Sequence, residues 1–232
     1  MTYEELRSRC AEFGLKLDDR AVERLKKYCV LLQEWNEKIN LTSIVDEEGV
    51  VEKHFLDSLL PAKSFDFSNR KVADVGSGAG FPGAVIAIAF PSAKVTLIDA
   101  TKKKFAFLQT VKDELQLENL EFLVGRVEDL SAYRESFDVV ISRGFAALRV
   151  FAEVGTPLVY VTGTLIAMKG PSAEEELEEA KNILGKLHLR LRSSQRDELP
   201  SAGVRITYFF AKDARTSNRF PRRWDEIQRV KI

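Results

Sequence analysis

A glycine-rich loop that follows a carboxylate is the first feature of this sequence that could do chemistry. Asp74 lies near the end of a short apolar run, and glycines follow it at positions 76, 78, 80 and 83. Because glycine has no Cβ, the backbone of such a loop can approach a bulky ligand closely. The apolar residues 84–90 then predict a helix, whose first N–H groups have no partner within the helix. Strand, loop and helix in this order predict a site for a nucleotide-like ligand.

Two kinds of nucleotide site fit this loop. Gly78-x-Gly80-x-x-Gly83 satisfies the dinucleotide pattern, and Asp99, roughly 20 residues past the first glycine, stands where an acid commonly binds ribose hydroxyls. Asp74 argues against a dinucleotide, because an NAD-type strand usually stays apolar as it enters this turn. The loop instead resembles the Asp/Glu-x-Gly-x-Gly-x-Gly loop of S-adenosylmethionine-dependent methyltransferases. A phosphate-binding P-loop is disfavoured, since no Gly-Lys-Ser/Thr follows. A tight turn without a ligand is the remaining interpretation.

Further polar residues follow the other predicted strands. Apolar runs at residues 94–99, 120–124, 137–141 and 164–168 predict strands, and each is followed by a polar segment. In an open parallel sheet the ligand crevice lies at the carboxyl ends of the strands. We therefore expect one edge of the sheet to carry, besides the glycine loop, Asp99, the segment 126–129, Ser142, Arg143 and Lys169.

Helices in the first 66 residues form a predicted lobe ahead of the sheet. Thr2 begins a Ser/Thr-x-x-Glu capping box, and apolar residues at helical spacing follow Asp18. A third helix is predicted from Asp46, and one of its faces carries Val51, Phe55 and Leu59. The lobe also contains two polar pairs, Asn36 with Asn40 and His54 with Asp57. Whether these pairs are structural or touch a substrate is left open.

The middle of the chain, residues 67–213, predicts one α/β domain. Helices are expected from Thr101, over residues 150–159 and over residues 171–187. The last two strands, 187–193 and 204–210, are expected to be antiparallel. The prediction is a mostly parallel seven-stranded sheet with helices on both faces and an N-terminal helical extension. Residues 214–232 form a polar, basic tail that we expect to pack on or near the active-site face.

The amino-acid composition bears on metal binding, on the cellular compartment and on binding to nucleic acid. The two cysteines and two histidines are too few and too far apart for a disulfide frame or a metal site, and we expect no metal. No apolar run approaches the ~20 residues that span a bilayer, so the predicted location is the cytoplasm. Zero net charge argues against nucleic acid, but eleven Lys and Arg face five Asp and Glu from Arg190 onward. This asymmetry predicts one basic face, although a solvated tail has the same composition.

Taken together, the motifs resemble a bacterial family, the RsmG/GidB methyltransferases, which make 7-methylguanosine in small-subunit ribosomal RNA. The segments that carry the resemblance are Trp35-Asn-Glu-Lys-Ile-Asn-Leu-Thr-Ser43, His54-Phe-Leu-Asp-Ser58, Asp74 to Gly83, Gly125-Arg-Val-Glu-Asp129, Ser142-Arg143 and Met168-Lys-Gly170. Val127 and Gly144 stand where the family usually has alanine. Trp224-Asp-Glu replaces the small, basic residues that usually continue the terminal Phe-Pro-Arg-Arg, and this departure puts the predicted RNA contact of the last few residues in question.

The resemblance implies a Rossmann-like class I fold, S-adenosylmethionine as the methyl donor and a guanine N7 of 16S rRNA as the acceptor. Guanine N7 already carries a lone pair, so no general base is needed. The implied cofactor-binding residues are Asp74, Gly76, Gly78, Phe81, Asp99, Val127, Glu128 and Arg143. Arg143 and Lys169 are implied at the reacting guanosine, and RNA contacts are implied for Arg126, Lys169, Arg219, Arg222 and Arg223. A monomer that acts on a small-subunit particle is expected.

Three other functions stay open on sequence grounds. An NAD-dependent oxidoreductase needs a proton-transfer residue near the nicotinamide, and none stands out by the loop. A small-molecule methyltransferase shares the cofactor half of the protein but needs no basic face. A non-catalytic RNA-binding protein would keep the loop and transfer nothing.

Overall fold

The structure is a computed structural model that describes residues 1–229, so the last three residues of the predicted tail lie outside it. Its centre is a seven-stranded sheet in the order β3-β2-β1-β4-β5-β7-β6. The strands are β1 Lys71–Val75, β2 Lys94–Asp99, β3 Leu120–Val124, β4 Phe137–Arg143, β5 Val159–Lys169, β6 Leu189–Leu199 and β7 Gly203–Lys212. β7 is antiparallel to both of its neighbours, and β1 to β5 are parallel. The predicted α/β architecture is confirmed.

Helices cover both faces of the sheet. They are α1 Tyr3–Glu12, α2 Asp19–Asn36, α3 Glu47–Val50, α4 Asp57–Leu59, α5 Gly83–Ala89, α6 Lys102–Leu115, α7 Leu148–Gly155, α8 Ala173–Lys186 and α9 Trp224–Arg229. One buried apolar cluster joins α1, α2, α5 and α6, and a second cluster joins α7, α8 and α9. Tyr28 of α2 stacks on Phe81 beside α5. The lobe therefore shares one core with the sheet, and the domain boundary at residue 66 stays a prediction.

The helix starts agree with the sequence at four positions, and a side chain caps the helix at three of them. Thr2 and Glu5 form the predicted capping box, and the Asp18 and Asp46 carboxylates accept N–H bonds in the first turns of α2 and α3. The Thr101 side chain, by contrast, makes no capping hydrogen bond. Thr101 still immediately precedes α6, so the predicted helix start is correct, and its backbone N–H donates to Asp99 Oδ1 at 2.8 Å.

The third predicted helix is not a regular α-helix. After α3 the chain widens into a π-helix over Val51–Leu56, returns to α4 and tightens into a 3₁₀ turn at Leu60–Lys63. The predicted inward face of Val51, Phe55 and Leu59 is buried all the same. Pro61 lacks the N–H that would continue α4, which accounts for the tightened end.

Strand and helix limits differ from the predicted ones near Pro157. Residues 150–159 do not form one helix: α7 ends at Gly155, a 3₁₀ turn covers Thr156–Leu158, and Val159 already belongs to β5. Proline removes a helix hydrogen bond and favours such a break. β6 extends to Leu199, beyond the predicted end at residue 193, because it pairs with β7 along its whole length. None of the helices within residues 1–229 is long and apolar enough to cross a membrane.

Candidate cofactor and substrate site

The glycine loop is fastened to the end of the neighbouring strand. The N–H groups of Gly76 and Ser77 donate to the Ile98 carbonyl at 2.8 and 3.2 Å. The Gly78 N–H donates to Asp99 Oδ2 at 3.0 Å. Since β1 and β2 are parallel neighbours, these bonds hold the loop at the carboxyl edge of the sheet, as predicted.

The glycines of this loop serve different purposes. Gly76, Gly78 and Gly80 have φ values of +72°, +59° and +95°, which residues with a side chain rarely adopt. A Cβ on Gly76 would overlap the Phe145 ring, and one on Gly80 would overlap the Tyr28 hydroxyl. A Cβ on Gly78 would meet only the Gly76 carbonyl, at 3.9 Å. Of these three glycines, Gly78 alone borders open space that a ligand can fill.

Asp74 supports the loop from below. Its side chain is fully buried, and Oδ2 accepts the N–H of Gly83, the first residue of α5, at 2.8 Å. Burial raises the pKa of Asp74 to about 7. Oδ1 has no hydrogen-bond partner within residues 1–229. Asp74 thus joins the end of β1 to the start of α5 and keeps one unpaired oxygen beside the loop.

A pocket of about 320 Å³ lies beside the loop, across the ends of the first three strands. Its walls combine carboxylates, apolar side chains and glycine backbone. They include four of the residues implied as cofactor ligands, namely Gly76, Asp99, Val127 and Glu128, together with Ile98, Lys104, Gly125, Arg126, Gly144, Phe145 and Trp224. We call it the loop pocket.

The two carboxylates of the loop pocket are held in place. Asp99 accepts N–H bonds from Gly78 and Thr101 and lies 3.3 Å from Lys104 Nζ. Burial works to raise the pKa of Asp99, but the hydrogen bonds and the Lys104 ammonium outweigh it, and the pKa lies below its usual value. Glu128 pairs with Arg126 at 3.3 Å. Both acids are therefore ordered acceptors for hydroxyl or amino groups.

A second, larger pocket of about 700 Å³ adjoins the loop pocket at Gly144, which lines both. We call it the basic pocket, because four basic side chains line it against two acidic ones. The basic ones are Lys53, Arg143, Lys169 and Arg205, and the acidic ones are Asp57 and Glu176. Its walls come from the π-helix, the ends of β4 and β5, and the start of β7.

Arg143 is the central contact of the basic pocket. Its guanidinium donates to the Lys53 carbonyl at 3.0 Å, to Asp57 Oδ2 at 2.9 Å and to His54 Nδ1 at 3.1 Å. These three partners all lie on the π-helix or immediately after it, so one guanidinium fixes the wide turn to β4. The open question about His54 and Asp57 is thereby answered in part, since both are buried and hold Arg143.

His54 is a neutral ring whose tautomer follows from its neighbours. It stacks on Phe81 with centroids 4.4 Å apart, and burial, followed by the nearby Arg143 charge, lowers its pKa to about 3. Because a guanidinium only donates, Nδ1 must accept from Arg143. Nε2–H then donates to Thr42 Oγ1 at 2.8 Å. Asn36 Oδ1 accepts the Leu41 and Thr42 N–H groups and so shapes the turn that presents Thr42.

Asp57 lies between two arginines. It is 3% exposed, and Oδ1 stands 3.3 Å from Arg205 Nε while Oδ2 binds Arg143. The Arg205 contact is an ion pair without hydrogen-bond geometry. The sequence analysis did not predict that Arg205 lies at this site, although the antiparallel direction of its strand could have indicated it. A strand that runs backwards starts at the carboxyl edge, and β7 pairs its Ile206 with Lys169 at the end of β5.

Lys169 reaches the basic pocket as predicted but is already engaged. Nζ pairs with Glu176 Oε2 at 2.8 Å and donates to the Ala146 carbonyl. Its side chain is 9% exposed. Lys169 therefore fixes the chain after β4, and its charge is paired with Glu176.

Four residues implied as cofactor ligands do not line the loop pocket in the part of the chain that the structure describes, namely Asp74, Gly78, Phe81 and Arg143. Phe81 is buried between the Tyr28 and His54 rings, with the Arg143 guanidinium 5.2 Å from its centroid, and it does not line the loop pocket in the described chain. The cofactor contact of Phe81 stays a prediction; the inward orientation of its ring could not be predicted, because a position beside a glycine does not say which side of the loop the ring faces. Arg143 lines the basic pocket and not the loop pocket.

The predicted RNA-binding arginines of the tail differ in availability. Arg222 is bound to the buried Glu153 carboxylate through Nε at 2.7 Å and Nη2 at 2.6 Å. Arg223 is largely exposed and pairs with Asp225 at 3.5 Å. The Arg219 guanidinium lies over the ring of Phe220 at 5.3 Å. The bonds to Glu153 use two of the five N–H donors of the Arg222 guanidinium, so this arginine is the least available of the three, and its RNA contact stays a prediction.

Comparison with known proteins identifies the fold and the family. The fold is similar to that of a SAM-dependent methyltransferase from Aquifex aeolicus, with a TM-score of 0.54 and 19% identity over 77% of this chain and 97% of that one. It is also similar to M. jannaschii TYW2 in complex with AdoMet, with a TM-score of 0.57 and 16% identity over 73% of this chain and 79% of that one. At this identity they show the fold, which is that of the class I S-adenosylmethionine-dependent methyltransferases.

Similarity in sequence is stronger. Proteins called Ribosomal RNA small subunit methyltransferase G are 44% identical over 204 residues in Mycoplasma capricolum, covering 88% of each chain, and 41% identical over 227 residues in Staphylococcus aureus strain Newman, covering 96% and 95%. A family model described as GidB, rRNA small subunit methyltransferase G, matches residues 21–197. By both measures, this chain belongs to the rRNA small subunit methyltransferase G family.

Proposed function

We propose that this protein transfers the methyl group of S-adenosylmethionine to N7 of a guanine in 16S rRNA. The observation that carries the proposal is the meeting of two chemically different pockets at Gly144. One offers carboxylates and glycine backbone, which suit a nucleoside cofactor, and the other offers arginines, which suit a guanine and its phosphate. The family's name supports the rRNA substrate.

The loop pocket fits S-adenosylmethionine by its own chemistry. Gly78 leaves open space at the loop, and the unpaired Oδ1 of Asp74 lies buried beside it. Asp99 at the end of β2 is in the position that commonly binds ribose hydroxyls, and Glu128 can accept from an exocyclic amine. When bound, the cofactor supplies an electrophilic methyl group. The chain's task is to hold that methyl toward the basic pocket.

The basic pocket fits a guanine that is turned out of an RNA single strand. Arginine recognises the O6/N7 edge of guanine and stacks on bases. Three hydrogen bonds from Arg143 leave two of its five N–H donors for a ligand. Sequence-specific RNA recognition mostly targets unstacked bases, which a cleft of this kind can accept. Arg219 and Arg223 would add phosphate attraction that weakens with salt.

Methyl transfer at this site needs alignment and not proton removal. Guanine N7 presents a lone pair, and both ring nitrogens of His54 are already occupied by Arg143 and Thr42. His54 therefore positions Arg143 and is not a base. Correct alignment of the reacting atoms can supply up to ~7–11 kcal/mol of the barrier.

The test is methyl transfer from labelled S-adenosylmethionine to small ribosomal subunits taken from cells that lack this activity, with the product nucleoside identified by mass. We expect 7-methylguanosine. Arg143→Lys should reduce transfer about 100-fold or more, because lysine lacks the fork of donors, and should keep S-adenosylhomocysteine affinity near that of the wild type. Arg192→Ala, an exposed arginine on the edge strand, is the matched control and should be fully active.

Other outcomes would redirect the assignment. Cofactor binding without transfer to RNA would favour a small-molecule methyltransferase. Binding of NADH in place of S-adenosylhomocysteine would favour the oxidoreductase. We further propose that the protein acts as a monomer in the cytoplasm. We propose a small-subunit particle as its substrate, because zero net charge implies weak attraction to free RNA. Equal methylation of protein-free 16S rRNA would contradict the choice of a particle.

A further inference from the structure

The C-terminal segment returns to the sheet and places an aromatic ring in the wall of the loop pocket. Trp224, the first residue of α9, lines this pocket together with Asp99 and Glu128. Its ring centroid is 6.3 Å from that of Phe145, and the Arg126 guanidinium lies 5.8 Å from its ring centroid. The ring is only partly buried, so it presents apolar surface to the pocket.

Anchors on both sides hold this ring in position. Before Trp224, Arg222 binds the buried Glu153, and the Arg134 guanidinium donates to the Phe220 carbonyl at 2.7 Å. After it, Ile227 is fully buried, and its carbonyl accepts from Arg149 at 2.8 Å. The segment is therefore packed onto α7, and contacts outside the loop pocket hold the chain on both sides of Trp224.

The loop pocket has the polar groups that an adenosine needs, and a stacking partner for the purine ring remains to be identified. Asp99 and Glu128 offer acceptors for hydroxyl and amino groups, and Val127 offers apolar surface. A purine also gains from stacking on aromatic side chains, typically ~1–3 kcal/mol per base. Within the described chain, the aromatic side chains that line the pocket are Phe145 and Trp224.

We infer that Trp224 is a cofactor-binding residue that packs against the adenosine part of S-adenosylmethionine, so that the C-terminal segment completes the cofactor site. The inference rests on the proposed function for the identity of the cofactor. It gives this tail a role different from the RNA contact expected of it. It also assigns a use to a tryptophan that stands where small, basic residues were expected.

The test uses the fact that the chain has two tryptophans. Trp35→Phe leaves Trp224 as the single indole, and Trp224→Phe leaves Trp35, whose ring packs on Phe107 at 5.9 Å and does not line the loop pocket. We expect S-adenosylhomocysteine to change the fluorescence of the Trp35→Phe protein in a saturable way and to leave that of the Trp224→Phe protein unchanged.

Calorimetric titration of the same ligand gives the second readout. Trp224→Ala should weaken S-adenosylhomocysteine binding about tenfold, whereas Trp224→Phe, which keeps an aromatic ring, should weaken it less than about threefold. Phe in place of Trp also shows whether loss of binding comes from the ring or from release of the tail.

Two results would overturn the inference in distinguishable ways. If S-adenosylhomocysteine binds the wild type and Trp224→Ala with the same affinity, Trp224 does not contact the cofactor, and the proposed function stands. If no variant and no wild-type sample binds the ligand, the proposed cofactor is wrong, and the inference falls with it.

Discussion

Arg222 and Arg223 are neighbours in the chain, yet their removal should destabilise the protein to very different extents. Glu153 is 1% exposed, and the backbone N–H, Nε and Nη2 of Arg222 all donate to it. The Arg223 side chain is 82% exposed and pairs with an exposed acid. The first arginine neutralises a buried charge, and the second lies in solvent.

The magnitudes follow from this difference. Removing one partner of a buried ion pair costs ~3–5 kcal/mol, because the other charge stays buried without compensation. The backbone N–H of Arg222 would remain, so we expect the lower end, about 3 kcal/mol, for Arg222→Ala. A solvent-exposed pair contributes ~0–1 kcal/mol, so Arg223→Ala should change the free energy of unfolding by no more than that.

Urea unfolding followed by circular dichroism measures both variants. With a slope of ~2–3 kcal/mol per molar urea, the Arg222→Ala midpoint should fall by about 1 M. The double variant Glu153→Gln/Arg222→Ala removes the stranded charge and should recover part of that loss. Because the tail carries Trp224, Arg222→Ala should also weaken S-adenosylhomocysteine binding. Equal midpoints for Arg222→Ala and Arg223→Ala would refute the reasoning.

Three further predictions concern the loop and the ring beside it. Gly78→Arg should abolish S-adenosylhomocysteine binding in calorimetry, because the side chain would fill the open space at the loop. Gly203→Arg is the control, since that glycine has a similar positive φ and open surroundings, and it should bind normally. Normal binding by both variants would contradict the assignment of Gly78. Burial raises the pKa of Asp74 from its ordinary 3.8 to about 7, so the folded carboxyl keeps its proton where the unfolded one has lost it, and the stability that Asp74 contributes is lost as pH rises between these values. Asp74→Asn should therefore gain about 4 kcal/mol relative to the wild type between pH 4 and pH 8 in urea unfolding, and a constant difference would argue against a buried, protonated acid. His54, with its pKa lowered to about 3, should stay neutral in the folded protein, so the stability that His54 contributes should decrease as pH falls below 6.5, by about 1.4 kcal/mol per unit. Asp74 acts in the opposite direction over part of this range, so the decrease is measured in the Asp74→Asn protein; a His54 ring signal that moves between pH 8 and pH 5 in NMR spectra would exclude a neutral ring.

The sequence predicted the sheet edge well because local patterns determine it. Apolar runs and the polar residues after them placed Asp99, Glu128 and Arg143 at one edge, and the structure brings all three there. Parallel strands have their carboxyl ends on one side whatever their order, so no tertiary information was needed.

The rest of the site depends on contacts between residues far apart in the chain. Nothing local shows that Phe145 turns onto Gly76, or that Trp224 returns to the same pocket. The orientation of the Phe81 ring toward Tyr28 and His54 was also not predictable, because loop sequence does not fix which way a ring faces. The wide helical turn at His54 escaped prediction for a similar reason, since its contacts with Arg143 form only after the lobe meets β4.

The glycine loop also bears on how such sequences should be compared. Gly76, Gly80 and Gly83 are each required by a neighbour inside the fold, since a Cβ there would meet Phe145, Tyr28 or Leu97. A descendant that had lost its activity would still be under selection to keep these three for stability. Gly78 alone faces open space, and asparagine or aspartate tolerates its positive φ. Retention or loss of glycine at this one position therefore reports on ligand binding, whereas the full glycine pattern reports mainly on packing.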